Sequence, residues 1–227
     1  MDTKTILAYL SDLEQNNDRE WYHANKTRYR EAIGVFGELV ELLNTRISQM
    51  DGSIPLCDPK DLMFKIVRDT RFSHDKSPYN PAFRAHIGPS GKSPIPVGYY
   101  INVQPGDRSF LGGGLFADMF KDATAMIRDH IVEHGGEWDE IINGKGFSDL
   151  FTVRGTRLKN VPRGYDAAHP QAEYLKNKSW YLEYPVPDAM LLDAGIFVES
   201  AAGVFARMKP FNDYLNTALR GFEMPSR

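Results

Sequence analysis

Short apolar segments separated by turns, with no helical segment between them, fill residues 62–112 of this chain. The strand-like segments are residues 62–67, 82–87 and 97–104, with the start of another at Phe110. The connections between these segments are too short for the crossover that a parallel pair of strands requires. The sequence therefore predicts a predominantly antiparallel sheet of at least four strands, which includes a later strand near residues 179–184.

Helical periodicity surrounds this sheet region. Apolar residues recur at helical spacing in residues 4–14, which predicts a first short helix. Asn17 with Glu20 has the form of an N-cap with its reciprocal partner, and it predicts the start of a second helix of roughly 25–30 residues. A third helix is predicted directly after the glycines at 112–114, with its end at Gly135.

A late helical pattern runs from Phe197 to Met208, and Pro210 is predicted to interrupt it. Long N-terminal, central and C-terminal helices beside an antiparallel sheet define the α+β fold class. Because the chain has no repeats, low-complexity tracts or linker-like segments, residues 1–227 are predicted to form a single domain.

The composition narrows the class of protein. Of the 227 residues, 42% are hydrophobic and 12% aromatic, which is ample for a packed core. Every apolar segment is broken by charges before it reaches the roughly 18 residues of a membrane span, and the first residues lack the pattern of a signal peptide. Cys57 is the single cysteine, so neither an internal disulfide nor a cysteine metal cage can form. We therefore expect a cytoplasmic protein with no cofactor, no metal and no membrane partner.

The charge of the chain is unevenly distributed. Its net charge of −3 argues against a general nucleic-acid coat, and it contains no DNA-binding motif. Residues 60–84, however, hold six cations against three acids, and residues 154–178 hold six against two. If the two segments meet, they form a basic concavity that attracts an anionic ligand. The alternative is that they are two solvated faces that never meet.

The first basic segment includes an aperiodic loop at residues 68–83, the central basic loop, in which cations, acids and hydroxyl groups crowd together. Its predicted ligand-binding residues are Arg68, Asp69, Arg71, Asp75, Lys76 and Tyr79. Guanidinium groups suit the bidentate capture of a phosphate or carboxylate, and an ammonium group adds a point charge. In the alternative interpretation, the arginines and aspartates satisfy each other in a rigid, buried ion network that is structural.

The second basic segment supplies Lys159, Arg163 and His169 as further predicted ligand-binding residues. His169 is the one candidate catalytic residue, because nearby cations would favour its neutral, proton-accepting form. The alternative is that this histidine, next to Pro170, caps a turn or packs on an aromatic ring. No other residue is assigned a catalytic role.

Two other patterns are weak signals. Gly112, Gly114 and Ala117 match a relaxed dinucleotide fingerprint, but no second parallel strand with a ribose-binding acid follows. What remains is a backbone anion site at a helix N-terminus, or simply a tight strand-to-helix corner. His130 and His134 have the spacing of metal ligands, but no third ligand is near in the sequence, so a metal site is not predicted.

Several motifs together resemble one family, the bacterial and fungal proteins of domain of unknown function 2461. The motifs are Asn17-Asp-Arg-Glu-Trp21 with Asn25-Lys26, Arg68-Asp-Thr-Arg-Phe-Ser73 with Asp75-Lys76 and Pro78-Tyr79, Gly112-Gly-Gly114, and Pro162-Arg-Gly-Tyr165 with His169-Pro170. The resemblance covers about residues 6–218 and implies one α+β domain, but no reaction. His74 and Asn80 stand where lysine is expected, which removes two possible cations from the central loop.

The leading hypothesis is that the protein binds an anionic, phosphorylated or carboxylated ligand, whether or not it catalyses a reaction. A second hypothesis is a non-enzymatic module that binds a protein or RNA partner through the same basic surface, with Trp21, Tyr79 and Tyr165 as exposed stacking aromatics. A third is that the central loop is only a structural ion network.

Overall fold

The computed structural model of this protein describes residues 1–225, which form ten helices and four strands. The helices are α1 (Lys4–Gln15), α2 (Arg19–Ala24), α3 (Lys26–Met50), α4 (Pro59–Leu62), α5 (Lys121–Glu133), α6 (Gly135–Asn143), α7 (Lys145–Ser148), α8 (Ala172–Leu175), α9 (Asp188–Leu191) and α10 (Ala194–Ala218). The strands are β1 (Phe83–Ile87), β2 (Tyr99–Val103), β3 (Ser109–Leu115) and β4 (Trp180–Val186). The α+β class is confirmed.

The four strands form one sheet in the order β1-β2-β3-β4, and every neighbouring pair is antiparallel. The predicted four-stranded antiparallel sheet is thus confirmed, including the late strand. One row of paired residues crosses the whole sheet. The row consists of His86, Tyr100, Gly112 and Glu183.

The two faces of the sheet have different surroundings. One face carries buried apolar residues such as Ala85, Ile101 and Leu111, and it packs against α3 and α10. The alternate residues of the same strands point to the other face, since side chains alternate along a strand. Phe64 and Phe116, from the segments before β1 and after β3, border this second face.

Residues 62–67 do not form the predicted strand. Asp58 caps a short helix, α4, by accepting a hydrogen bond from the Lys60 amide, and Pro59 suits the first helical position. The chain then touches β1 through one bridge, between Met63 and Ala85. A second isolated bridge joins Val67 to Tyr79, so the residues after α4 make single contacts instead of a continuous ladder.

The second predicted helix is two helices, and its cap is not Asn17. The Asp18 carboxylate accepts a hydrogen bond from the Trp21 amide and starts α2, which ends at Ala24 before α3 begins. Asn17 instead donates to the Tyr79 carbonyl at 2.9 Å and accepts from the Tyr79 amide at 3.1 Å. This residue therefore ties the N-terminal helices to the central basic loop.

The glycines at 112–114 lie inside β3, and α5 begins only at Lys121. The predicted strand-to-helix corner and backbone anion site are therefore wrong. Each glycine permits a close approach: a Cβ on Gly112 would lie 2.8 Å from the Phe116 ring, and one on Gly114 would lie 2.4 Å from the Trp180 carbonyl oxygen. Gly114 also has a positive φ of 89°.

The ends of two later helices also differ from expectation. After α5 ends at Glu133, Gly135 begins α6 instead of ending the helical region. Pro210 lies inside the continuous helix α10 and does not interrupt it. Packing of α10 against the sheet and α3 compensates for the hydrogen bond that proline cannot donate.

We predict that Gly114→Ala lowers the free energy of unfolding by at least about 2 kcal/mol, because it adds a left-handed residue and a clash with backbone. Gly203→Ala is the matched control, since this exposed position in α10 has no atom within 4 Å of the added Cβ. It should raise stability by up to about 1 kcal/mol. Urea unfolding of both variants measures the difference, and equal stability would contradict the account of β3.

Candidate functional site

The central basic loop is a hairpin whose charges pair with one another. Val67 bridges Tyr79 at its base. Arg68 forms an ion pair with Asp75 and lies 3.4 Å from the Ser73 hydroxyl. Hydrogen bonds from Ser77 and Arg68 hold the pKa of the Asp75 carboxyl well below its usual range.

The remaining charges of this loop are engaged as well. Arg71 donates to both carboxylate oxygens of Asp69, which lowers the pKa of that carboxyl. Lys76 donates from Nζ to the Thr70 carbonyl at 2.9 Å. The Arg71 side chain is nonetheless 77% exposed. The loop therefore holds ion pairs at its surface, and the pairs do not form the buried network that one alternative described.

Part of the predicted ligand set lines a single cavity of about 550 Å³ beside this loop. Arg68, Lys76 and Tyr79 line it, together with Arg19 and His23 of α2. Tyr79 is buried at 5% exposure, and its ring stacks on the Tyr22 ring with 4.3 Å between the centroids. Asp69, Arg71 and Asp75 do not line this cavity.

The second basic segment lies elsewhere. Lys159 borders a separate cavity of about 360 Å³, and Arg154 bridges Tyr181 on β4. The central loop leads into β1, which is the opposite edge of the sheet from β4. The backbones of these edge strands are about 14 Å apart. The structure therefore does not bring the two basic segments into one concavity, and Arg163 lies exposed at the surface.

His169 has a structural role in its loop. Its Nδ1 accepts a hydrogen bond from the Gln171 amide at 3.0 Å, just before α8. This contact matches the turn-capping alternative. The aromatic residues predicted to stack on RNA bases already contact other parts of the protein. Tyr79 is buried, and the Trp21 ring lies 5.9 Å from the Tyr9 ring. The Tyr165 hydroxyl donates a hydrogen bond to Asp129.

Another cavity lies on the second face of the sheet. This sheet pocket has a volume of about 540 Å³. It is lined by Phe64, Arg84, His86, Lys92, Pro94, Tyr100, Phe110, Gly114, Phe116, Ala117, Met119 and Glu183. It is mostly apolar with a few convergent polar groups, which is the usual character of a small-molecule site.

Aromatic rings form the floor of the sheet pocket. The Tyr100 ring lies 5.8 Å from Phe110, 5.3 Å from Phe116 and 6.2 Å from Phe64, measured between centroids. Phe116 stacks in turn on Tyr181 at 4.4 Å. Because Gly112 has no side chain, the Phe116 ring can rest directly on the sheet.

Arg84 provides the main charge of the sheet pocket. Its guanidinium carbon lies 5.7 Å from the Phe64 ring centroid. Burial raises the pKa of the Tyr100 hydroxyl, and the adjacent Arg84 guanidinium opposes this rise. The Arg84 Nε–H is buried and has no acceptor among residues 1–225. The residue as a whole is half-buried, and its guanidinium forms no ion pair among the described residues, so its charge is free to meet an anion in the pocket.

His86 stands two residues further along β1 and is 6% exposed. Its Nδ1 lies 3.1 Å from the Gly91 carbonyl oxygen. Because a carbonyl can only accept, Nδ1 carries the proton and Nε2 is an acceptor in the neutral ring. Burial lowers the pKa of His86 to about 4, so the ring is neutral near pH 7.

Arg84 and His86 are absent from the predicted site residues for a physical reason. In the sequence they alternate with the buried Phe83, Ala85 and Ile87, which is the pattern of a strand with one solvated face. The sequence does not show that Phe64 and Phe116 from distant segments cover that face. The run of three glycines at 112–114 is the sequence signal for this face, because residues without side chains let other groups approach β3 closely.

Two general properties complete the description of residues 1–225. No group of three or more histidine, cysteine, aspartate or glutamate side chains among them is arranged to hold a metal ion. None of the helices in this part of the chain combines the length and apolarity needed to cross a membrane.

The chain is thus an α+β protein with an antiparallel sheet backed by two long helices and an aromatic pocket on the sheet's other face. Residues 5–214 match the family model of the conserved hypothetical proteins DUF2461, and the chain belongs to this family. The resemblance drawn from the sequence motifs is confirmed. No curated protein and no solved structure matches the chain.

We predict that Arg71→Ala leaves the thermal midpoint unchanged within error, because both Arg71 and its partner Asp69 are exposed to water. Arg128→Ala is the matched control. Arg128 is buried and donates to the Leu175 and Asn177 carbonyls at 2.8 and 2.7 Å. Its loss should cost about 2–4 kcal/mol. A loss of stability in Arg71→Ala as large as that in Arg128→Ala would instead support the interpretation of the loop as a structural ion network.

A pH dependence follows from His86. The unfolded ring has a pKa near 6.5 and the folded ring near 4, so the unfolded state binds more protons between these values. The stability contributed by neutral His86 is therefore present above about pH 6.5 and is lost as the pH falls towards 4, by up to about 1.4 kcal/mol per pH unit.

Chemical denaturation at several pH values measures this slope. His86→Gln should reduce it, while His23→Gln, which changes an exposed ring, should not. Burial also lowers the pKa of His130, so part of the slope should remain in both variants. An unchanged slope in His86→Gln would show that this ring is not buried in its neutral form.

Proposed function

We propose that the protein binds a small anionic ligand in the sheet pocket, with a carboxylate or phosphate group at Arg84 and an apolar body on the aromatic floor. The observation that carries the proposal is the Arg84 guanidinium, which lines the sheet pocket and forms no ion pair within the described chain, since the pocket's carboxylate, Glu183, pairs with Arg154. The ligand class is the one that the charge pattern of the sequence predicts. The site differs from the predicted one.

The physical argument rests on charge pairing. A hydrogen bond to a charged group contributes about 1.5–3 kcal/mol. Arginine binds carboxylate and phosphate in a bidentate fork, and Lys92 at the pocket rim adds a second positive charge. The aromatic floor favours an apolar body next to that anionic group.

The cavity of about 550 Å³ beside the central basic loop, called the loop cavity, is the weaker candidate for the same ligand. Arg68 and Lys76 line it, but Arg68 is paired with Asp75, and Lys76 is bonded to the Thr70 carbonyl. A ligand there would compete with contacts already formed. In the sheet pocket, an anion would pair with a guanidinium that has no carboxylate partner among residues 1–225.

We expect thermal melts at low salt to show a shift on the order of 5–10 °C for an aromatic acid at 100 times its dissociation constant. The panel contains benzoate, biphenyl-4-carboxylate, phenyl phosphate, nucleotides and sugar phosphates. Arg84→Met should weaken the best ligand tenfold or more, since it removes a charge-assisted hydrogen bond.

Lys76→Met is the matched control, because it removes a cation from the loop cavity and leaves the sheet pocket intact. It should bind the same ligand with unchanged affinity. If Lys76→Met and Arg68→Met abolish binding while Arg84→Met does not, the ligand occupies the loop cavity and the sheet-pocket proposal is wrong. A flat panel would contradict both sites.

One observation favours the second function, a non-enzymatic interaction module. Phe72 is 95% exposed at the tip of the central loop, and the Arg71 guanidinium carbon lies 5.8 Å from its ring. An aromatic ring beside a cation suits the stacking of a single-stranded base. Titration of a short single-stranded RNA at two salt concentrations tests this function. Binding that weakens steeply with salt and is lost in Phe72→Ser would support it.

A further inference from the structure

We propose that the ligand of the sheet pocket has two polar ends: an anionic group at Arg84 and an N–H donor at Glu183, joined by a planar aromatic body. This inference rests on the proposed function, because it assumes that the sheet pocket is the binding site. It goes further by fixing the class, the length and the orientation of the ligand.

The register of the sheet sets the length. His86, Tyr100, Gly112 and Glu183 form one row across the four strands. The ends of this row are about 14 Å apart along the backbone, which is three strand spacings. Arg84 lies on the same face of β1 as His86, two residues away. A single cavity contacts both Arg84 and Glu183, so one molecule can reach both.

Glu183 has capacity for a further donor. Its side chain is 25% exposed, and Arg154 donates from Nη1 to its Oε2 at 2.7 Å. The structure records no other hydrogen bond to this carboxylate from residues 1–225, and a carboxylate can accept about four. Arg154 thus orients the group, while Oε1 can accept an N–H from a ligand.

The middle of the pocket selects a planar body. The Phe116 ring occupies the space that a side chain at position 112 would fill, since a Cβ there would lie 2.8 Å from its ring carbon. Together with Tyr100 on one side and Tyr181 on the other, Phe116 makes an apolar surface between the two polar ends. Aromatic rings stack on such a surface with a gain beyond that of area alone.

Isothermal titration with a matched pair of ligands tests the inference. The probes are biphenyl-4-carboxylate and 4′-aminobiphenyl-4-carboxylate, which differ only by an amino group at the far end of two rings. In the native protein the amino group should raise the affinity on the order of tenfold. In Glu183→Met this gain should disappear, so that the two acids bind the variant with equal affinity.

Glu173→Met is the control, because Glu173 borders the separate cavity near Lys159. It should retain the full gain. Equal affinities of the two acids for the native protein, or a gain that survives in Glu183→Met, would overturn the two-ended ligand while leaving the proposed function in place. If neither biphenyl acid binds but another acid of the thermal panel does, the two-ended ligand is again wrong. Loss of binding across the whole panel overturns the proposed function itself.

Discussion

The close contact between α10 and β3 is the constraint on which the rest of the structure depends. A Cβ at Gly113 would lie 3.1 Å from Met208 and from Asn212, so only a residue without a side chain lets the helix approach the strand this closely. Asn212 donates to the Gly98 carbonyl, and Asn216 bonds both the amide and the carbonyl of Val97. These polar contacts fix α10 at the start of β2, beside the helix–strand contact.

This contact determines which face of the sheet the long helices leave open. Because the long helices fill one face of the sheet, the alternate residues of each strand are left to the other face, which segments around Phe64 and Phe116 border. The glycine run serves both faces: Gly113 admits α10 on one side, and Gly112 admits the Phe116 ring on the other. The packing of the core and the shape of the pocket therefore both depend on the absence of side chains at Gly112 and Gly113.

Sequence patterns predict the features that depend on local periodicity. The α+β class, the antiparallel strands and the family follow from alternation, short turns and the Arg68-Asp-Thr-Arg71 motif. The predicted strand at 62–67 is wrong because its residues form α4 and isolated bridges instead of a continuous ladder, and the cap at Asn17 is wrong because Asp18 caps α2. The pocket could not be predicted, because it depends on which distant segments cover one face of the sheet.

The count of charges in the sequence emphasises the cations of the central basic loop, whereas the proposed site uses Arg84. An exposed ion pair such as Arg71 with Asp69 is already hydrated and paired, so it gains little from a further anion. One guanidinium beside aromatic rings has lost part of its water, and an anion there interacts through a medium of lower dielectric constant. A ligand can therefore be held more firmly by Arg84 than by a loop with three times as many cations, and the second polar end at Glu183 would then decide which anion is selected.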